Sequence, residues 1–178
     1  MSNVLIGIIG VILFIGLALA GALILGDDFR TASSSSKAAA VTQTMQQVAA
    51  AANMYQMKKG RLMMASEHST AIDTLVAAKS LRIVATNPMN GNPIALVNSG
   101  GGMDTVSPGR FFYTNLGTDG VSRDVCRQIE ETMGNPDPDA ALAPVADWGA
   151  RTSANRRMGC LLYSYYQPAV YQAYIPLN

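Results

Sequence analysis

His68 is the chain's only histidine, and it directly follows Glu67. An imidazole beside a carboxylate could act as a general base with its orienting acid. Adjacent residues on a helix do not face each other, and no serine, cysteine or aspartate is spaced to complete a triad. Glu67-His68 therefore reads as a solvated loop pair. Cys126 and Cys160 with His68 make a poor metal set, since structural zinc takes four ligands. Glu130 and Glu131 are adjacent on a predicted helix and read as exposed side chains, not as a catalytic acid–base pair. Ser99-Gly100-Gly101-Gly102 lacks the lysine of a phosphate-binding loop and the helix that should follow it, so it reads as a flexible loop. Tyr163, Tyr165, Tyr166, Tyr171 and Tyr174 alternate along predicted strands, which suits sheet packing better than base stacking or electron transfer. No active site emerges, so neither enzymatic activity nor a cofactor is expected.

The elements around these residues say more. The first charged side chain is Asp27, and Val4 to Leu25 is an unbroken apolar and glycine run. Ala18-Leu19-Ala20 before Gly21 would suit signal cleavage, but Ser2 and Asn3 are not the basic start of a signal. The run has the length of one bilayer crossing, about 20 residues. Gly7, Gly10, Gly16, Gly21 and Gly26 add a feature a lone anchor does not need. Small residues let helices approach closely in lipid, so the run is expected to pack against other helices.

No proline or glycine interrupts Phe29 to Lys59. Val41, Met45, Val48, Ala52 and Tyr55 step by four, three, four and three, which lines one helical face. The pattern predicts one helix over about 1–59, roughly 80 Å long at its normal rise, with a soft spot at Ser33–Ser36. Residues 1–26 would form an apolar membrane or filament-core segment, and 27–59 an amphipathic continuation packed on the head. Lys58-Lys59-Gly60 is a good stop signal.

The rest, 60–178, reads as a small head. A short helix is predicted over Ser69–Lys79, capped by Ser69 or Thr70, and turn chemistry over Asn87-Pro88-Met89-Asn90-Gly91-Asn92-Pro93. Strands are expected at Ile94–Val97, Arg110–Thr114, Met158–Tyr165 and Ala169–Ile175. A helix from about Ser122 to Met133 puts Val125, Cys126, Ile129 and Met133 on one side, and Asn135–Pro144 reads as loop. On the last strand, Val170, Gln172 and Tyr174 share one face and Tyr171, Ala173 and Ile175 the other. The class is α+β: a long N-terminal helix packed by its C-terminal half on a small antiparallel sheet with short helices.

Net charge is +1 and charged residues make up 14% of the chain. Nucleic acid is thus not expected as a primary ligand, because that calls for a basic patch. So low a charge content suits a chain buried in an assembly. Behind a membrane-targeting start, Cys126 and Cys160 read most simply as one disulfide, closing a loop worth about 3–4 kcal/mol in the chain-entropy model. Two unrelated reduced thiols are the alternative.

The order of parts resembles the type IV pilins, most closely the type IVb branch. The resemblance spans nearly the whole chain. It rests on the apolar small-residue helix and its alanine-rich continuation, then on Thr74-Leu75-Val76-Ala77-Ala78-Lys79-Ser80-Leu81 leading into Thr86-Asn87-Pro88-Met89-Asn90-Gly91. Phe111-Phe112-Tyr113-Thr114-Asn115-Leu116, Ser122-Arg123-Asp124-Val125-Cys126 and a second cysteine before the final strands complete it. It implies that Cys126 and Cys160 close the family's C-terminal D-region, and that Met1 is a permitted first mature residue. The chain departs from the family at Leu5, where a glutamate is usual, and at Ala22, where proline is common. No basic leader precedes Met1, so Met1 is either the mature first residue or a start codon with a different processing route.

The resemblance implies a major pilin: a structural subunit of an extracellular helical filament, with cell adhesion among the roles of such filaments. Its partners would be identical subunits, the inner membrane before assembly and the pilus assembly machinery. It would pass from the inner membrane to the cell surface. Met1, Leu5, Ile9, Ile12, Phe14, Gly16, Leu19 and Leu23 would form the filament core. A minor pilin, a type II secretion pseudopilin and a non-polymerising anchored binding protein are the alternatives.

Overall fold

The structure is a computed structural model that describes residues 2–61, 63, 70–98, 110–146 and 157–177, without the side chains of 2–6, 22–27 and 98. Glu67, His68 and Ser69 lie outside the described residues, as does the Ser99–Gly102 loop. The elements run α1 Ser2–Lys59, α2 Ala71–Ala77, β1 Ile94–Asn98, β2 Arg110–Gly117, α3 Gly120–Thr132, α4 Pro138–Ala141, β3 Pro144–Val145, β4 Gly159–Tyr163 and β5 Val170–Pro176. The chain divides into two compact units, 1–34 and 35–178.

Helix α1 is unbroken through the serine run. The Ser34 hydroxyl donates to the Arg30 carbonyl one turn back, at 2.9 Å, so it adds to the helical ladder instead of leaving it. At the other end Gly60 takes φ +65°, its N–H bonds the Gln56 carbonyl, and Lys58 and Lys59 occupy the last turn. Glycine alone takes this left-handed position without steric cost.

In the second unit the sheet order is β1-β2-β5-β4-β3. Three pairings are antiparallel, and β3 joins β4 in parallel. Val41, Met45, Val48, Ala52 and Tyr55 of α1 are all buried and share one core with Phe112, Leu116 and Ala173 of the sheet and Val125, Cys126 and Ile129 of α3. The fold is the expected α+β arrangement, with the predicted stripe as the seam. Residues of opposite parity fill a smaller cluster on the other sheet face, where Phe111, Leu161 and Tyr174 are buried. Phe111 and Tyr174 meet edge-to-face there, with centroids 6.5 Å apart.

Several boundaries differ from the sequence reading. The stretch read as loop, Asn135–Pro144, holds α4, with Pro138 in its first turn and Asp137 capping the Ala140 N–H, and the first residue of β3. The last turn of the helix expected to reach Lys79 unwinds at Ala78, because Lys79 adopts φ +54° and Ser80 and Leu81 both donate to the Leu75 carbonyl. Thr70 sits at the start of α2 without a side-chain capping bond. Strand β2 runs three residues further than expected, and β4 ends at Tyr163. Tyr165 and Tyr166 therefore lie beyond the strand and are exposed.

A left-handed backbone costs an L-residue about 1–2 kcal/mol, part of which glycine returns as unfolded-state entropy. Lys79→Gly is therefore expected to stabilise the head by about 0.5 kcal/mol, read as a higher midpoint in chemical denaturation. An unchanged or lower midpoint would refute this account of the turn.

Candidate functional site

The first feature is the exposed apolar start of α1. Every side chain described from 7 to 20 is exposed. Ile9 is 51% exposed, Ile12 63%, Phe14 73% and Leu19 62%. Gly16 lies among them, and a β-carbon added there, or at Gly7, Gly10 or Gly21, would meet nothing within 4 Å. Among the described residues, nothing in the packing therefore requires glycine at those positions. Met1 lies outside the described residues, as do the side chains of Leu5 and Leu23. Among the described residues no helix is long and apolar enough to cross a membrane. Within the Val4–Leu25 run, side chains are described only over 7–21.

The second feature is the closure of the head's C-terminal part. Cys126 of α3 and Cys160 of β4 form a disulfide with Cα atoms 5.4 Å apart, and both are fully buried. Glu130, one turn after Cys126, is 5% exposed, which corrects the reading of this residue as a solvated carboxylate; Glu131 is exposed as expected. Helical periodicity accounts for the difference. Position 130 is four residues from Cys126 and faces β4, whereas 131 turns outward. The Glu130 carboxylate accepts from the Cys160 backbone N–H and from Asn135 Nδ2 at 2.7 Å. A side chain next to a cysteine on a helix gives no hint in sequence of a backbone partner 30 residues away.

That carboxylate leaves room only for glycine at 159. A β-carbon there would lie 2.7 Å from both Glu130 Oε1 and the Tyr174 hydroxyl. Gly159→Ala must displace a buried, hydrogen-bonded carboxylate. It is expected to cost about 1–3 kcal/mol, read as a lower denaturation midpoint with the disulfide intact. Wild-type stability would show that the site has slack the packing does not reveal.

A third constellation binds the turn before β1 to the end of β2. Asn87, Asn90 and Asn92 all direct Nδ2 at the Asn115 carbonyl, at 2.8, 3.0 and 3.0 Å, and Asn90 also reaches the Leu116 carbonyl at 2.9 Å. Gln172 Nε2 donates to Asn115 Oδ1 at 2.6 Å from β5. The register shift in β2 between Asn115 and Gly117 presents these carbonyls to the turn. The turn was legible in sequence. Its target was not, because a bulge is set by strand pairing.

Helix α3 starts at Gly120, not near Ser122. Asp119 is its cap, accepting from the Ser122 N–H at 2.8 Å and the Ser122 hydroxyl at 2.6 Å. Aspartate at this position is a standard start signal, so Thr118-Asp119-Gly120 held the clue. These two bonds, the hydroxyl's first, hold the Asp119 carboxyl below its usual range, with Lys37 adding a smaller push. A depressed folded-state value means that the cap's contribution is present above the ordinary aspartate range and is lost as pH falls through the folded value. Stability is therefore expected to drop on acidification below about pH 4, and less steeply in Asp119→Asn. Identical acid profiles for the two chains would contradict the assignment.

The described residues offer little else. Tyr163, Tyr165 and Tyr166 pack together with centroids 5.6–6.0 Å apart. Burial, and then Tyr166, push the Tyr113 hydroxyl upward. No group of three His, Cys, Asp or Glu side chains among the described residues could hold a metal ion. A groove of about 440 Å³ is open to solvent, and the described residues that line it, Asn53, Gln56, Met57 and Gly60, carry no charge. No protein-family model matches the chain, and no curated protein or solved structure matches it significantly.

Proposed function

We propose that the chain is a structural subunit of an extracellular helical filament of the type IV pilin kind, assembled through the apolar start of α1. The observation that carries this reading is the exposure of the apolar side chains from Ile8 to Leu19 on a chain whose other unit has a complete core of its own. Apolar surface left in water is disfavoured by about 25 cal/mol per Å², so such a helix needs either lipid or other copies of itself. In this proposal it has both in turn. Subunits wait in the inner membrane, and the assembly machinery then stacks them so that Ile9, Ile12, Phe14, Gly16 and Leu19, with Met1, Leu5 and Leu23, form the filament's central bundle. The contact is head-to-tail and does not close on itself, which is what filament growth requires. The disulfide-closed head would form the outer surface. The disulfide itself suits an oxidising compartment.

The glycines supply the test. With open space around Gly16 in the single chain, a larger side chain there has no intramolecular cost to hide behind. Gly16→Leu and Ile9→Asp are expected to leave the head folded, by its denaturation midpoint, and to abolish or thin the filaments seen by electron microscopy of sheared cells. Normal filaments from both variants would defeat the proposal. Recovery of the unaltered chain only as a detergent-bound monomer would favour a lone anchor.

A further inference from the structure

The asparagine cluster holds one bond that can rewrite itself. In Asn87-Pro88-Met89-Asn90-Gly91-Asn92-Pro93, two of the three asparagines precede proline. An asparagine amide is lost when the next residue's backbone nitrogen attacks its Cγ. Proline carries no N–H to lose in that step, so Asn87 and Asn92 are closed to this route. Asn90 precedes glycine, which has no side chain to hinder the approach. It is also exposed, as is Gly91. By local sequence alone, Asn90-Gly91 should be the chain's fastest-ageing peptide step.

The fold engages the nucleophile, the leaving group and the amide oxygen of this reaction. The nucleophile, the Gly91 nitrogen, donates its hydrogen to the Asn87 carbonyl at 2.8 Å. The leaving group, Asn90 Nδ2, is held by two carbonyls, those of Asn115 and Leu116. Asn90 Oδ1 accepts the Asn92 N–H at 3.0 Å. That last bond fixes which way the amide points: a backbone N–H can only donate, so oxygen must face Asn92 and nitrogen must face the carbonyls. Attack on Cγ has to break the Gly91 bond and swing the amide off its three partners.

We propose that Asn90-Gly91 is a latent self-modification site, restrained by the asparagine cluster and released when the cluster opens. In the released chain, a solvent base takes the Gly91 proton and the nitrogen bonds to Asn90 Cγ. The Cγ–Nδ2 bond breaks and ammonia leaves with a proton from water. A second water then opens the cyclic imide at either carbonyl, giving aspartate or isoaspartate. No electrons are exchanged, and water is the only co-reactant. The change does not reverse on refolding. A carboxylate at position 90 would face the carbonyl oxygens of Asn115 and Leu116 with no hydrogen to donate, so the turn could no longer close on β2. One opening event long enough for cyclisation thus marks the subunit permanently. This inference stands whether or not the chain polymerises.

The test follows ageing at position 90 in the full chain in detergent micelles at mildly alkaline pH, beside the same chain unfolded in urea with reductant. Trypsin releases residues 83–110, and tandem mass spectrometry places the amide-to-acid mass gain within that peptide. Asn90 is expected to convert at least about tenfold more slowly in the folded chain, the protection a locally closed structure gives. In the unfolded chain it should lead every other asparagine. Asn87→Ala and Asn92→Ala each remove one amide from the cluster and should speed conversion at Asn90 several-fold in a chain whose circular dichroism remains native. Equal rates in the folded and unfolded wild-type chain would overturn the proposal. So would both folded variants ageing at the wild-type rate, or a different asparagine converting first in the unfolded chain.

Discussion

Met45 and Val48 of α1 have no exposed surface, and they share their core with Phe112 of β2, Ala173 of β5 and the Cys126–Cys160 bridge. Truncating a side chain so placed typically costs about 2–5 kcal/mol, against a total stability of about 5–15 kcal/mol for a domain. The rest of the head depends on this seam. The helix stripe covers one sheet face, α3 sits beside it, and the disulfide ties α3 to β4 within the same core. On the opposite sheet face the described residues form a smaller aromatic and aliphatic cluster around Phe111, Leu161 and Tyr174.

Two polar devices hold what hydrophobic burial does not specify. Glu130 binds the backbone of β4 at Cys160, so the strand's position along α3 is set by a hydrogen bond as well as by the bridge. The asparagines of the turn bind the bulged end of β2, where ladder pairing lapses and carbonyls would otherwise be left unpaired. Both devices use side-chain-to-backbone bonds over long sequence separations, and both sit where strands end or shift register. The second has a chemical consequence, since the amide that closes the turn is also the amide most prone to leave.

What the sequence made legible follows from periodicity. The step pattern from Val41 to Tyr55 named the buried stripe, and the parity of β5 sorted Gln172 and Tyr174 from Tyr171, Ala173 and Ile175. Gly60 marked the helix end, and the two cysteines paired. What stayed hidden depends on tertiary context. The parallel edge strand at Pro144–Val145 is two residues long, too short to show alternation. Glu130 looked like any surface glutamate, because its partners lie on another strand and in the loop after α3. The aim of the asparagine turn required knowing where β2 bulges. The apolar run from Ile8 to Leu19 announced itself plainly. Its function did not, because exposure on one chain says only that something else must cover it.

The most direct measurement is electron cryomicroscopy of filaments sheared from cells that express the chain. The account predicts a helical polymer of this subunit in which Ile9, Ile12, Phe14 and Leu19 are buried against the same segment of neighbouring copies, with the disulfide-closed heads outside. Finding no such polymer, or one in which these side chains do not touch a neighbouring copy, would contradict it.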